Sequence, residues 1–413
     1  MVVPAAVDRE PALYDDSQVG VYLHLPFCER ICPYCDFAVV AARPLEAALE
    51  ARYVAALRAE LERRRGDFSG RSLASLYFGG GTPSLFGPDS IRELIDAVHR
   101  AFEPGAAGVE TSVETTLELN PSTTEIDRLP GFREAGIDRL SIGVQSFDDV
   151  QLKRLGRAHS AATVRETLRA VRSAGFRNIS IDLIFAAPQQ ATTDLERDLD
   201  EVIEWSPEHL STYELTYEAQ TPFGRALAAG KMNAPDEDRS VEMIETIEAR
   251  LRDAGYERYE ISNYARPGRR SRHNARYWQR LSVLGLGMGA HSTEVRAAHR
   301  PHGARRANPR GLMEWLEAVE AGEAVGVEES PSPATARGEA VFLALRQREG
   351  LSARRFEAEF GAAPRTFFAA AIDDLVAKGW LAEGGSAAGD LRLTRAGRLL
   401  ADSVAAEFVA LSD

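Results

Sequence analysis

The chain has only three cysteines among 413 residues, too few for a disulfide framework and consistent with a reducing compartment. It also lacks any run of roughly 18 consecutive apolar residues, the least that a membrane-crossing helix needs. Its first stretch, Met1 to Gln18, has neither a basic start nor an apolar segment of signal-peptide type. A cytoplasmic location is therefore expected. Positive charge is in deficit as well: 49 Lys and Arg stand against 62 Asp and Glu, a formal charge of −13. That balance argues against a general binder of phosphate backbones or anionic bilayers, and no nucleic-acid partner is expected.

What remains is an ordinary globular composition, with 44% hydrophobic and 27% charged residues. The length exceeds what a single core sustains and predicts two or three domains. Apolar β-rich runs alternate with amphipathic helical stretches. The runs are Val19 to Leu25, Leu73 to Phe78, Glu114 to Leu119, Arg139 to Val144, Asn178 to Ile184 and His209 to Leu215. About six β-then-α units in succession predict an α/β fold with parallel strands and crossover helices, a complete or partial (β/α) barrel; a doubly wound open sheet is the alternative. The expected organisation is a tail over 1–18, the barrel over 19–308, a connecting segment over 309–336 and a C-terminal domain over 337–413. Ser-Pro-Ser-Pro at 330–333 marks the linker. Beyond it, three helix-like segments and a hairpin around Gly384-Gly385 outline a small winged-helix-like α+β domain. Without a dense Arg/Lys run it reads as a protein contact or lid rather than a DNA reader.

All three cysteines fall within eight residues, Cys28-Glu-Arg-Ile-Cys32-Pro-Tyr-Cys35, immediately after the first β-run. Thiolates at this C-x3-C-x2-C spacing suit a soft metal centre, and an iron–sulfur cluster normally takes four. Three leave one iron of a 4Fe-4S cluster open. The amino and carboxylate groups of S-adenosylmethionine (SAM) can chelate that iron, and an electron from the cluster can then break a carbon–sulfur bond. A structural zinc site, with Asp36 or His24 as fourth ligand, and plain buried thiols are the other readings. Glycine or polar residues recur where successive strands end, the place where barrel enzymes put their chemistry. They are Gly79-Gly80-Gly81-Thr82-Pro83, Glu118, Gln145, Asp182 and Thr216. Three glycines let backbone approach a ligand closely. Glu118 and Asp182, taken singly, could equally be helix caps or salt-bridge partners.

Tyr22 to Cys35, Gly79 to Pro83, Gly143-Val-Gln-Ser-Phe147, Arg157 and Ile181-Asp-Leu-Ile184 together resemble radical SAM proteins of the oxygen-independent coproporphyrinogen III oxidase family. The resemblance covers nearly the whole chain. It implies a partial barrel with the cluster loop after the first strand, and a smaller helical C-terminal domain. Cys28, Cys32 and Cys35 match the cluster ligands. Tyr22, Tyr34, Gly80, Gly81, Thr82, Glu118, Gln145, Arg157, Asp182 and Thr216 fall at positions that line SAM sites, and the likeness extends to two SAM molecules.

Two residues after the third ligand the oxidase carries a further cysteine, and here that position is Phe37. This departure, the short N-terminal extension and the H-N-x-x-Y-W motif at His273 to Trp278 resemble the heme chaperone branch of the family. That branch implies heme binding and delivery to an acceptor protein, such as a respiratory one, with attachment to a membrane only through that acceptor. An electron donor such as flavodoxin or ferredoxin is implied too. Read without the family, a His beside aromatics is most often packed or hydrogen-bonded. The same elements would suit a porphyrin: His273 toward iron, Tyr277 and Trp278 on the macrocycle, and nearby arginines on the propionates. Three classes follow, in this order: a heme chaperone on a radical SAM scaffold, a radical SAM enzyme such as the decarboxylating oxidase, and a winged-helix redox regulator. No catalytic residue is assigned.

Overall fold

The computed structural model describes residues 17–102, 113–294, 300–385 and 387–410. The tail expected over 1–18 lies outside them up to residue 16. Six strands lead the fold: β1 Gln18–Leu25, β2 Ser72–Gly80, β3 Glu114–Leu119, β4 Arg139–Gln145, β5 Ile179–Phe185 and β6 His209–Glu214. They pair in that order, each parallel to the next. Their sequences are dense in Val, Ile and Leu because parallel strands are covered on both faces. The helices that follow them supply that cover, and α2 Pro88–Ala101 shows how. Pro88 occupies its first turn, and Ile91, Leu94, Ile95 and Val98 recur at helical spacing and are buried. Each such side chain contributes about 1.5–3 kcal/mol of burial.

Further strands extend the sheet: β7 Glu257–Arg258, β8 Asn263–Ala265, β9 Val283–Leu286, β10 His291–Glu294, β11 Ala304–Ala307 and β12 Val327–Glu329. Among the described residues the sheet has 12 strands in the order β12-β11-β10-β9-β1-β2-β3-β4-β5-β6-β8-β7. Strand β9 is parallel to β1, whereas the outer strands on both sides are antiparallel. The two end strands do not pair with each other, so the barrel is partial.

Helix α1, Ala47–Arg64, carries Glu60, whose buried carboxylate receives the Gly287 N–H (2.9 Å), Asn308 Nδ2 (2.7 Å) and Trp315 Nε1 (3.1 Å). These three bonds fasten the antiparallel extension to the barrel wall. At the N-terminal end of the parallel strands a short helix, Arg272–Trp278, acts as a plug. Buried Arg276 donates to the carbonyls of Gln18 (2.6 Å) and Ser282 (3.0 Å), and the backbone N–H of Arg272 reaches Glu114 at the start of β3 (2.9 Å).

The stretch expected as a connecting segment over 309–336 is largely regular structure. It holds the helix Leu312–Glu320, strand β12 and the start of the helix Pro333–Leu345. Trp315, Leu316 and Val319 sit at helical spacing and are buried. In the Ser-Pro-Ser-Pro run, Ser332 caps the next helix by accepting the Thr335 N–H (3.1 Å), and Pro333 opens it. The run thus spans the short connection after β12 and the start of that helix.

The C-terminal domain contains the helices Pro333–Leu345, Ala353–Phe360 and Pro364–Ala377, then a hairpin of Leu381–Glu383 with Leu391–Leu393. Two more helices follow, Arg395–Leu399 and Ala401–Ala410. Its core, including Val341, Phe356, Phe368, Ile372, Leu375 and Phe408, is separate from that of the barrel. The domain docks on the plugged end. Arg280 pairs with Glu359 at 2.7 Å in a nearly buried contact, and Gln347 donates to the Trp278 carbonyl at 3.1 Å.

Trp315→Ala should cost about 3–5 kcal/mol, from the cavity it leaves and the donor lost to buried Glu60. Urea unfolding followed by circular dichroism checks this; a change under about 1 kcal/mol would show that the helix Leu312–Glu320 does not brace the wall.

Candidate cluster and cofactor site

Strand β1 delivers the chain to a loop stitched down at both ends. Residues Phe27–Cys28 pair with Val40–Ala41, and the amides of Gly81 and Thr82 donate back to Leu25 (2.9 Å) and Phe27 (2.8 Å). Within the loop the Cys35 N–H closes a turn onto the Cys32 carbonyl at 3.1 Å. His24 braces it from below. Its Nε2 reaches the Ala38 carbonyl at 2.7 Å, so that nitrogen carries the proton and Nδ1 accepts from Tyr22 Oη at 3.1 Å. Burial pushes this imidazole down to about 4 and keeps it neutral.

All three thiols are free and partly buried. Thr82 Oγ1 lies 3.6 Å from Cys28 Sγ, and Arg157 Nη1 lies 3.6 Å from Cys32 Sγ. Burial raises the Cys28 thiol to about 11 and raises Cys35 as well, so thiolates here need a cation to hold them. Among the described residues no three His, Cys, Asp or Glu side chains are arranged to hold a single metal ion. A cluster would take the three thiolates at separate corners.

Inside the barrel, strand alternation turns every second residue toward the lumen. Near the cysteine loop, Glu118 accepts the Gly80 N–H at 3.1 Å and the Tyr77 hydroxyl at 2.8 Å. Burial pushes its carboxyl up to about 7, against the pull of the Tyr77 hydrogen bond and with a push from Asp182. Asp182 accepts from Ser141 (3.2 Å) and Ser180 (3.2 Å) and is also raised, chiefly by burial. Arg157 donates to the Gly143 carbonyl at 2.8 Å and hydrogen-bonds Asn120, whose amide reaches Thr82 at 2.7 Å. Gln145 holds a left-handed backbone, φ 69°, and its buried Oε1 has no partner among the described residues. A strained non-glycine residue at the end of a barrel strand is a common mark of a functional site.

The structure thus gathers Cys28, Cys32, Cys35, Tyr22, Tyr34, Gly80, Gly81, Thr82, Glu118, Gln145, Arg157 and Asp182 around the C-terminal ends of β1 to β5. Thr216 is exposed just past β6. The fit to a cluster and a SAM molecule rests on three features: one thiol-bearing loop, a carboxylate raised by burial, and an unpartnered amide oxygen. A β-carbon on Gly80 would stand 2.5 Å from the His24 ring and one on Gly81 2.6 Å from Pro26, so only glycine keeps backbone this close to the loop.

His273 lies in the layer under the cofactor site. It is buried, with Nδ1 2.9 Å from Ser75 Oγ and Nε2 3.3 Å from Tyr277 Oη, and its ring stacks on Tyr77 at 5.1 Å. Burial pushes it down to about 3. Both ring nitrogens are in use, and its stacking partner Tyr77 reaches Glu118, so the motif lies beneath the cofactor site rather than apart from it. Arg276 is spent on backbone carbonyls, Arg270 pairs with Glu349 (2.9 Å), and Trp278 hands its carbonyl to the C-terminal domain. The motif packs as a plug because the inward faces of β1 and β2 leave room there for an aromatic layer.

Sequence reasoning missed Tyr77, Asn120, His24 as a loop brace, and the serines that hold Asp182. The alternation rule could have found Tyr77, which lies two residues before Gly79 on the same strand.

Glu118 predicts a pH effect. If its carboxylate receives the SAM ammonium, protonation below about 7 competes with binding. SAM affinity of the reconstituted protein should then fall about tenfold between pH 8 and pH 6, and Glu118→Gln should bind weakly with that slope abolished. Equal pH slopes for wild type and variant, measured by the SAM-induced change in the cluster's electron paramagnetic resonance (EPR) signal, would remove Glu118 from this role.

Residues 22–202 match the radical SAM superfamily, and 332–400 match the HemN C-terminal domain. The chain is 31% identical over 393 residues to the heme chaperone HemW of Bacillus subtilis, covering 94% of this chain and 99% of that one. It is 35% identical to the HemW of Mycobacterium tuberculosis over 389 residues, 93% of each chain. The solved structure of coproporphyrinogen III oxidase (HemN) from Escherichia coli superposes with a TM-score of 0.78 at 22% identity, over 96% of this chain and 91% of that one, which establishes a shared fold. On its three-cysteine loop, its partial barrel and its end-to-end likeness to these relatives, the chain belongs to the HemW family of radical SAM proteins.

Proposed function

We propose that the protein is a heme chaperone that carries a 4Fe-4S cluster and SAM on a radical SAM scaffold, binds heme and passes it to an acceptor protein. The observation that carries this reading is the likeness to relatives named heme chaperones along nearly their whole length. Phe37 adds support. It stands where the oxidase branch has another cysteine, and it is 70% exposed on the cluster loop, so the chain brings no fourth thiol to that loop.

Cys28, Cys32 and Cys35 would hold the cluster, which when bound supplies one-electron chemistry at its open iron. Glu118 and the Gly79 to Gly81 backbone would orient the amino-acid end of SAM, with Asp182 deeper in the lumen and Gln145 and Arg157 at the rim. Arg157 places positive charge beside Cys32. An electron donor of the flavodoxin or ferredoxin class would dock at the rim, where Ile31 and Phe37 stand exposed. The acceptor would be a heme protein such as a respiratory one, met by a cytoplasmic chaperone. Among the described residues no helix is long and apolar enough to cross a membrane.

Anaerobic reconstitution with iron and sulfide, followed by parallel assays, tests this. The protein should bind hemin near one equivalent, release it to an apo acceptor, and leave coproporphyrinogen III unchanged with SAM and reductant. Decarboxylation at turnover rates would put the oxidase reading in its place. Cys28→Ala, Cys32→Ala or Cys35→Ala should each lose most of the cluster's iron and sulfide, since the chain holds no other cysteine.

A further inference from the structure

His273 is buried with both ring nitrogens hydrogen-bonded, so an open cavity is the better candidate for a heme seat under the chaperone reading. A cavity of about 530 Å3 opens on the barrel rim, within the size range of small-molecule sites. Its walls come from segments that follow successive strands: Arg154 after β4, Pro188 and Gln189 after β5, and Phe223 with residues 230–236 after β6. Pro188, Phe223 and Met232 give it apolar faces, while Arg154, Lys231 and Arg239 put three cations on its edge.

The one acid on the wall, Asp236, is engaged: it caps the following helix by accepting the Arg239 N–H at 2.8 Å. Lys231 and the Arg239 guanidinium have no ion-pair partner among the described residues. The lining thus sets three cations against one carboxylate, beside apolar walls. That combination fits a flat apolar ligand with carboxylates at one edge. Met232 adds a thioether, a known axial ligand of heme iron.

The wall is also tied to the cluster loop. The Phe223 N–H donates to the Pro33 carbonyl at 3.0 Å, and its ring lies 6.3 Å from that of Tyr34. Pro33 and Tyr34 separate the second and third cysteines. Ala186 and Gln189, in the loop that forms the far wall, hold left-handed backbones at φ 55° and 59°, the kind of strain that persists where a ligand site demands it.

We propose that this rim cavity is the heme seat, with the propionates on Lys231, Arg239 and Arg154, the macrocycle against Phe223 and Pro188, and Met232 facing the iron. The inference deepens the chaperone reading and rests on it. A heme seated here would touch the same residues that shape the cluster loop, so loading of one site would be felt at the other.

The test uses the full chain with its cluster, titrated with hemin and, separately, with metal-free protoporphyrin IX. Lys231→Glu/Arg239→Glu should weaken both ligands about tenfold or more, because both carry the propionates, while cluster content stays at the wild-type level. Met232→Leu keeps the apolar volume and should shift the Soret band of the hemin complex while leaving protoporphyrin affinity unchanged. Wild-type affinity for both ligands in the double variant would overturn the seat, and an unshifted Soret band in Met232→Leu would overturn the iron contact. If the wild type binds no hemin at all, the chaperone reading itself fails; hemin binding that is insensitive to the double variant sinks only this location.

Discussion

A methyl group on Gly81 would stand 2.6 Å from the Pro26 carbonyl, and the cysteine loop starts from that approach. With no side chain in the way, β2 runs past the end of β1 close enough for the Gly81 and Thr82 amides to close on the loop's first residues. The same register puts Gly80 opposite Leu25 and Tyr77 opposite Tyr22. From there Glu118 can take the Gly80 amide, Thr82 can reach Cys28, and the paired tyrosines can form a layer under the site. Move the register by one residue and every one of these side chains would face the helices instead of the lumen.

The lumen beneath that loop is costly to build. Arg139 is 1% exposed, and its Nε and Nη1 have no hydrogen-bond partner among the described residues. Glu118 and Asp182 both carry carboxyls raised by burial. Unmet buried polar groups typically cost about 1–3 kcal/mol each, and an apolar filling of similar volume would be the more stable solution. Arg139 and Asp182 attract each other across the lumen, which offsets part of that cost. Arg139 opens β4 at the plugged end, and Glu60 with Trp315 braces the wall elsewhere.

The plug also accounts for how the second domain is attached. Arg276 closes the barrel bottom on backbone carbonyls, and the chain that continues from Trp278 meets the C-terminal domain at Gln347 and, through Arg280, at Glu359 and Glu339. A motif at the centre of the fold thus couples the lumen floor to the docked domain. Its histidine is a packing element whose neutral form suits a site between aromatic rings and arginines.

The cysteine triad, the parallel α/β order and the polar residues at strand ends were legible in the sequence because each depends on neighbours within a few residues. A C-x3-C-x2-C spacing is a local fact, and β-then-α alternation follows from hydrophobic periodicity along a single segment. The stretch before Glu328 was harder to read, because only the burial of Trp315 and its helix shows that it belongs to the barrel wall. The place of His273 was beyond local reading. Its environment is made by Ser75 and Tyr77, some 198 and 196 positions away in the chain, and it exists only once β1, β2 and the plug helix have come together. The rim cavity likewise draws Arg154, Pro188, Phe223 and Lys231 from three separate strand-to-helix connections. Sequence determines which chemistry each strand carries to its end; closure of the sheet decides which of those ends share one space.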